Sequence, residues 1–210
     1  MGNAFGTGLV ADDKEHISGR ILDAARKHFA HYGYPKTTMA DIADACDMSP
    51  GNIYRFFLGK LDIAEAIALE DERLRLAEME KIASAPRCSA RKKLCDYFYA
   101  ELRSTYQKFD EDPHALEVAR IISEKRPEFG DLRVAAEREM IARILVEGTE
   151  KGEFDVSDPE NSAEMIHSAM LKFRFPQRWT HASLETLERE LDGVLKLIMD
   201  GLTPRAGAAH

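Results

Sequence analysis

The stretch with the clearest potential for chemistry is residues 38–60, TMADIADACDMSPGNIYRFFLGK. Thr38 and Ser49 each precede a short helical pattern, where a hydroxyl caps a helix whose free N–H groups attract phosphate. Asn52 and Arg55 follow Ser49 closely and carry side chains that hydrogen-bond base edges. These residue types predict a surface that binds the DNA backbone and reads bases.

Two short helices must position these residues. Thr38 and Asp41 form a capping-box pattern at the start of the first helix. Pro50 suits the first position of the second helix, which continues with Gly51 and Tyr54. A short connection and small alanines between the helices are typical of a helix-turn-helix. From spacing alone, a DNA-binding helix-turn-helix and a generic αα corner both remain open.

The helical period also assigns neighbouring side chains to a core. Ile42, Ile53 and Phe57 fall on one apolar face and are predicted to be buried. Tyr54 fits either a buried position or a place on the DNA-facing surface. Arg55, like Asn52, fits no apolar face, so it stays a candidate for base contact.

The rest of the chain carries the same helical signal. From Ile17 onward, apolar residues recur at intervals of three to four, and no alternating run predicts a strand. The sequence therefore predicts an all-α fold of about nine helices, the third of which opens at Pro50. Approximate spans of the other helices are 18–32, 38–45, 60–83, 89–109, 113–123, 128–151, 159–173 and 183–202.

Composition limits the class of protein. The 210 residues are 44% hydrophobic and 31% charged, which excludes a collagen-like or fully disordered chain. Three cysteines without a CxxC pair indicate a reducing compartment. No apolar run approaches the roughly 18 residues of a membrane span, and the N-terminal residues lack a signal-peptide pattern. We therefore expect a cytoplasmic protein without membrane contact.

Charge is distributed unevenly along the chain. The formal net charge is −8, yet residues 14–62 hold seven Lys or Arg against six Asp or Glu, and residues 63–210 hold 22 against 29. Screening over about 8 Å at physiological salt isolates the first region from the acidic remainder. The basic residues predicted to flank the DNA-facing surface are Lys14, Arg20, Arg26, Lys27, Lys36 and Lys60.

These features together resemble the TetR family of bacterial transcriptional regulators. The resemblance lies in residues 21–60, ILDAARKHFAHYGYPKTTMADIADACDMSPGNIYRFFLGK, with Gly-Tyr, Thr-Thr, helix-turn-helix and Phe-x-x-Lys in the family's order. Beyond residue 70 only the helix layout is similar. The resemblance implies a helix-turn-helix DNA-binding domain over residues 14–62 and a helical effector-binding and dimerisation domain over residues 63–205.

The resemblance also implies roles for single residues. Phosphate contacts are implied at Thr38, Ser49, Tyr54 and Lys60, and base contacts at Pro50, Gly51, Asn52 and Arg55. Asp47 stands where the family usually has a turn glycine, which is tolerated because Asp adopts left-handed backbone more readily than most residues. Because Pro50, Asn52 and Phe56 also depart from the family's common residues, no operator sequence carries over.

The second domain is expected to bind a small molecule. Its aromatic and flexible apolar side chains exceed what a spacer needs and predict an apolar pocket with a few polar anchors. A solid core between the same helices is the alternative. The candidate ligand-binding residues are His114, His167, Lys172, Arg174 and Trp179.

The last two predicted helices carry apolar stripes that predict a homodimer. The stripes comprise Ala163, Ile166, Ala169 and Met170 in one helix and Leu184, Leu187, Leu191, Leu195 and Ile198 in the other. Two copies would form a four-helix bundle and present two recognition helices to major grooves about 34–36 Å apart. The predicted operator is therefore roughly palindromic.

Three classes of function follow from the sequence. The first is a dimeric repressor that a small-molecule effector releases from its operator; the second is a ligand-independent or non-specific DNA-binding protein. A helical enzyme or protein-interaction module is the third, but no glycine-rich phosphate loop, nucleophile elbow or HExxH motif supports catalysis. We predict no enzyme activity, no cofactor and, because His28 and His31 lack a third ligand, no metal site.

Overall fold

The computed structural model describes residues 6–112, 114–176 and 180–204. Ten helices and no strand occur within these ranges, which confirms the predicted all-α class. In chain order the helices are α1 Gly6–Tyr32, α2 Met39–Ala45, α3 Pro50–Ile53, α4 Lys60–Ala83, α5 Ala90–Glu111, α6 Ala115–Lys125, α7 Pro127–Glu150, α8 Pro159–Ala169, α9 Leu171–Arg174 and α10 Leu184–Leu202. None of the described helices combines the length and apolar character that a membrane crossing requires.

Two helix boundaries differ from those predicted. Helix α1 begins at Gly6 rather than near residue 18. The predicted helix 159–173 divides at Met170 into α8 and α9, which is why the described chain has ten helices rather than nine. Because the chain turns at Met170, the side chains of both Phe173 and Arg174 are buried.

The chain folds into two compact units. The first comprises the residues up to Glu72 together with Asp112–Pro127, and the second comprises Arg73–Glu111 and the residues from Glu128 onward. Helix α6 therefore belongs to the first unit, and α4 contributes to both. The predicted functional domains 14–62 and 63–205 stay predictions, because packing alone defines these units.

The first unit is built around an aliphatic core. Ile42 and Ile53 are completely buried, as predicted, whereas Phe57 is only half-buried. The other buried apolar side chains of this unit are Ile21, Ala25, Phe29, Ala43, Cys46, Ile63, Ala64, Ile67, Ala115 and Ile122. At the end of α6, Arg126 donates hydrogen bonds to Glu65 at 2.9 Å and to Asp62 at 3.1 Å on α4.

The predicted dimer stripes lie mostly inside the second unit of a single chain. The buried members are Ala163, Ile166, Met170, Leu187, Leu191 and Leu195. Helical periodicity identifies an apolar face but does not distinguish burial within one chain from burial against a second copy. These six side chains are therefore covered within one chain, and a dimer interface through the exposed outer faces of α8 and α10 stays a prediction.

Gly148 allows α7 to pack closely against its neighbours in the second unit. A Cβ atom at this position would lie 2.2 Å from the ring of Phe154 and 2.8 Å from the Cβ of Ala90. Gly130, on the same helix, has nothing within 4 Å of the corresponding point. Only the first of these glycines is required by packing.

We predict that Gly148→Ala lowers the free energy of unfolding by about 1–3 kcal/mol, because the added methyl group overpacks the core. The control, Gly130→Ala, should raise it by about 0.5–1 kcal/mol, because alanine restricts the unfolded chain more than glycine does. Denaturant unfolding measures both effects. Equal stability of the two variants would contradict the packing described for Gly148.

Candidate functional site

The turn between α2 and α3 is closed by hydrogen bonds to the end of α2. The N–H groups of Cys46 and Met48 donate to the carbonyl of Ala43 at 3.0 and 2.9 Å. Asp47 has a φ of 53°, so the expectation that Asp occupies the left-handed turn position is confirmed. Arg20 of α1 donates to the carbonyl of Cys46 at 2.9 Å and ties this turn to the first helix.

The starts of α2 and α3 are built differently. The Thr38 hydroxyl accepts a hydrogen bond from the N–H of Asp41, and the Asp41 carboxylate accepts from the N–H of Thr38 at 2.8 Å, which confirms the predicted capping box. Hydrogen bonds from the Thr38 hydroxyl and N–H lower the pKa of Asp41 from its usual range. Ser49 occupies the N-cap position before Pro50, but its hydroxyl makes no capping hydrogen bond.

Most of the predicted DNA-contacting side chains lie on the surface. Tyr54 is 50% exposed, so the alternative that it belongs to the core is wrong. Asn52 and Lys60 are half-buried. The exposed members of the predicted set are Thr38, Ser49, Pro50, Gly51, Tyr54 and Arg55. Helix α3 and the two residues after it therefore present a small, polar and cationic surface of the kind that fits a DNA groove.

Lys60, the first residue of α4, binds the chain between α1 and α2. Its ammonium donates to the carbonyl oxygens of Tyr34 at 2.5 Å, Thr37 at 2.6 Å and Pro35 at 3.4 Å, and lies 4.3 Å from the centre of the Tyr34 ring. Burial lowers the pKa of Lys60, against the opposing fields of Asp41 and Glu117. The ammonium thus fixes the segment that leads into the capped start of α2.

This positioning role was missed by sequence reasoning. The family resemblance, which includes the Phe-x-x-Lys spacing, implies a phosphate contact for Lys60, and this contact stays a prediction. Lys60 lies two helical turns before the buried Ile67, and this local pattern does not indicate the distant carbonyl oxygens that Lys60 binds. The contact depends on how α4 packs against the α1–α2 connection.

We predict that Lys60→Met lowers the free energy of unfolding by about 1 kcal/mol, because methionine keeps much of the apolar stem but donates no hydrogen bond to the loop carbonyls. Lys36→Met is the control, since Lys36 is an exposed lysine of the same loop. Thermal or denaturant unfolding of the two variants makes the comparison. Identical stabilities would show that the Lys60 contacts contribute nothing to the first unit.

The structure brings together only two of the predicted ligand-binding residues. His167 and Arg174 both contact Glu137 in the second unit. Lys172 forms an ion pair with Glu190 at a half-exposed position. His114 lies in the first unit, where its ring would be 3.1 Å from a Cβ atom at Gly33.

The fifth predicted ligand-binding residue, Trp179, lies outside the described residues. Its proposed ligand contact therefore stays a prediction.

The second unit contains a buried group of charged side chains, here called the ionic cluster. Its members are Arg75, Glu101, Arg133, Glu137, His167 and Arg174. They come from five helices, α4, α5, α7, α8 and α9.

Glu137 lies at the centre of the ionic cluster. One carboxylate oxygen accepts from Arg75 at 2.7 Å and from Arg133 at 2.9 Å. The other lies 2.8 Å from Nε2 of His167 and 2.5 Å from a terminal nitrogen of Arg174. Burial would raise the pKa of Glu137, but the hydrogen bond with His167 and the charges of the three arginines outweigh it and hold the pKa below its ordinary range.

Glu101 forms the second anionic point of the ionic cluster. Its two carboxylate oxygens accept from Arg75 at 2.5 Å and from Arg133 at 3.1 Å. Sequence reasoning missed both glutamates and both of these arginines. The available signal was the i,i+4 spacing of Arg133 and Glu137 within a helix of core-forming residues.

Metal binding has no structural support in the described ranges. No group of three or more His, Cys, Asp or Glu side chains there is arranged to hold a metal ion. The ionic cluster is instead organised around guanidinium groups, which bind carboxylates.

We predict that Glu137→Gln lowers the free energy of unfolding by about 3–5 kcal/mol at neutral pH, because it leaves the buried guanidinium of Arg174 without a carboxylate within hydrogen-bond distance. The depressed pKa of Glu137 gives the native state a stabilisation that is present above about pH 4.5 and is lost as the pH falls. Unfolding of the variant should therefore depend less on acid pH than unfolding of the parent protein.

The exposed Glu139 on the same helix supplies the control for this measurement. Denaturant unfolding of Glu139→Gln across the acid range should follow the parent protein. A Glu137→Gln variant with the parent's full pH dependence would contradict the proposed charge state of Glu137.

Two family models match this chain in succession. Residues 21–67 match the model described as bacterial regulatory proteins, tetR family. Residues 90–195 match the model described as tetracyclin repressor-like, C-terminal domain. The first match contains the helix-turn-helix, and the second contains most of the ionic cluster.

A curated relative supports the assignment of the N-terminal region. The HTH-type transcriptional regulator UidR of Escherichia coli (strain K12) is 37% identical over 62 residues, which are 30% of this chain and 32% of the relative. The match thus spans about a third of the length of that relative.

Solved structures share the fold over most of the chain. A transcriptional regulator of the TetR/AcrR family from Thermobifida fusca YX-ER1 has a TM-score of 0.68 at 21% identity and covers 88% of this chain and 97% of its own. The structure of SmeT in complex with triclosan has a TM-score of 0.62 at 20% identity and covers 93% and 95%. At these identities the likeness concerns the fold alone.

Proposed function

This chain belongs to the TetR family of bacterial regulatory proteins, and from that premise we propose that it is a dimeric repressor that a small-molecule effector releases from a palindromic operator. Its helix-turn-helix makes it a DNA-binding transcriptional regulator. The repressing direction, the dimer and the effector are the parts proposed here. Such a protein works in the cytoplasm, where the bacterial chromosome lies.

The observation that carries the proposal is the surface formed by α3 and the two residues that follow it, Tyr54 and Arg55. Pro50, Gly51, Tyr54 and Arg55 are exposed there, while Ile53 anchors the helix in the core. A small residue permits close approach to a groove, and Arg donates a bidentate pair of hydrogen bonds to guanine. The hydroxyls of Thr38 and Tyr54 lie on exposed side chains suited to backbone phosphates.

The outer faces of α8 and α10 support a homodimer. On α10, Gly193, Leu197 and Gly201 recur every four residues and are exposed, and Leu197 is 73% exposed. On α8, Met165 and Ala169 have the same spacing and are also exposed. Small residues beside large apolar ones let helices approach closely, so these faces suit a four-helix interface between two copies.

The effector is proposed to act by shifting the balance between two arrangements of the dimer. In one arrangement the DNA-binding units fit the operator, and in the other they do not. An effector that binds the second arrangement more tightly than the first lowers the affinity for the operator, and the ratio of its two affinities sets how far the affinity for the operator can fall. Helix α4 contributes residues to both units and is one of the covalent links through which this shift is proposed to act. SmeT, which shares the fold, was solved as a complex with triclosan, and this supports an effector site in the fold.

Arg55→Ala tests the proposed recognition surface. We expect the variant to lose about 1–3 kcal/mol of affinity for a palindromic operator recovered by the protein itself and much less for scrambled DNA, because Arg55 reads a base. Titrations of both DNAs by fluorescence anisotropy at one salt concentration measure the difference.

Lys36→Ala is the matched control, because it also removes one exposed positive charge from the first unit. As a residue that flanks the backbone, it should weaken binding to both DNAs equally. If Arg55→Ala lowered the affinity for the operator and for scrambled DNA equally, Arg55 would contact the DNA backbone and not a base. Unchanged binding of both DNAs would place the interface elsewhere.

A further inference from the structure

Three buried side-chain polar atoms in the described part of the second unit have no hydrogen-bond partner: the hydroxyl of Tyr97 on α5, Nε of Arg138 on α7 and Nε of Arg174 on α9. Two of these residues concern the ionic cluster, Tyr97 and Arg174. Tyr97 is 2% exposed and Arg174 is 5% exposed, so water outside the protein does not satisfy them. Burying a polar group without a partner destabilises a protein, and such groups therefore require a physical explanation.

Arg174 is a member of the ionic cluster, and Tyr97 shares helix α5 with the cluster member Glu101. Tyr97 lies one helical turn before Glu101, on the same face of α5. Burial, and then the nearby carboxylates of Glu101 and Glu137, raise the pKa of Tyr97 above its ordinary value. Arg174 pairs with Glu137 through a terminal nitrogen, while its Nε lies 4.0 Å from Glu101, beyond hydrogen-bond distance.

The ionic cluster holds three guanidinium groups against two carboxylates. Burial lowers the pKa of Arg174, and the neighbouring Arg133 adds to this effect, although Glu137 and Glu101 oppose it. An additional anion beside Nε would stabilise this charge and accept the missing hydrogen bond. The Tyr97 hydroxyl is a second donor that suits the same anion.

Buried apolar residues neighbour Tyr97, Glu137 and Arg174 along their helices. Phe98 follows Tyr97, Phe173 precedes Arg174, and Met170 lies one turn before Arg174; all three are buried. Met140, also buried, lies three residues after Glu137. A ligand that reaches the two donors therefore carries its anionic group on an apolar body.

We propose that the effector is an organic carboxylate whose oxygens accept hydrogen bonds from the Arg174 Nε and the Tyr97 hydroxyl, with its apolar part among the side chains of the second unit's core. This inference rests on the proposed effector-released repressor and names the chemical class of the effector. A neutral ligand with a carbonyl oxygen is the competing chemistry, because it offers an acceptor but no charge.

Paired probes distinguish these two chemistries. The full chain is screened by thermal unfolding against hexanoate, octanoate, benzoate and phenylacetate, each beside its primary amide. We expect at least one carboxylate to raise the melting temperature while its amide does not. A panel without a stabilising carboxylate, or amides that stabilise as well as their acids, would overturn the proposal.

Tyr97→Phe tests the site itself, because it deletes one oxygen and keeps the ring. Without ligand the variant should melt about 2 °C or more above the parent protein, since an unpartnered buried hydroxyl is removed. Its affinity for the stabilising carboxylate, measured by calorimetry, should fall about tenfold or more.

Tyr99→Phe on the same helix is the control, because the Tyr99 hydroxyl donates to Asp192 at the surface. It should leave carboxylate affinity unchanged. A Tyr97→Phe variant that loses stability without ligand, or that binds the carboxylate as the parent does, would overturn the proposal.

The same probes separate this inference from the proposed function. A carboxylate that binds through Tyr97 but leaves operator binding unchanged would contradict effector release while supporting the site. An operator released by a neutral compound, with no carboxylate bound, would contradict the site while supporting the repressor.

Discussion

The ammonium group of Lys60 is the contact on which the DNA-facing part of the first unit depends. It binds the carbonyl oxygens of Tyr34 and Thr37, the short segment between α1 and α2. The Thr37 side chain is buried and donates to the carbonyl of Gly33, whose φ of 82° ends α1 in a left-handed turn. Because the next residue caps α2, these contacts set where the helix-turn-helix begins.

In the first unit one cation binds several carbonyl oxygens, whereas in the second unit two buried carboxylates, those of Glu101 and Glu137, each bind several arginines. Burying ions costs free energy that only well-placed partners recover, so a hydrophobic core of equal volume is often as stable. Glu137 joins side chains from three other helices, and its removal would leave Arg174 without a carboxylate within hydrogen-bond distance. A cluster of this kind is sensitive to any further charge placed beside it.

Local chemistry made part of this structure predictable from the sequence. The capping box of Thr38 and Asp41, the left-handed Asp47 and the bounds of α4 depend on residues close together in the chain. The break at Met170, the burial of the Leu187 stripe and the role of Lys60 depend on contacts between distant segments. Periodicity detects an apolar face but not what covers it, and charge patterns within a helix do not show which ions meet in the core.

We propose that this chain reads a palindromic DNA sequence as a dimer. Selection of genomic fragments by the purified protein at about 150 mM salt, where non-specific phosphate binding is weak, tests this proposal. We expect recovery of a few intergenic fragments that share a two-fold sequence with half-sites about one helical turn apart. Fragments recovered without a shared sequence, or none above the background of protein-free beads, would contradict it.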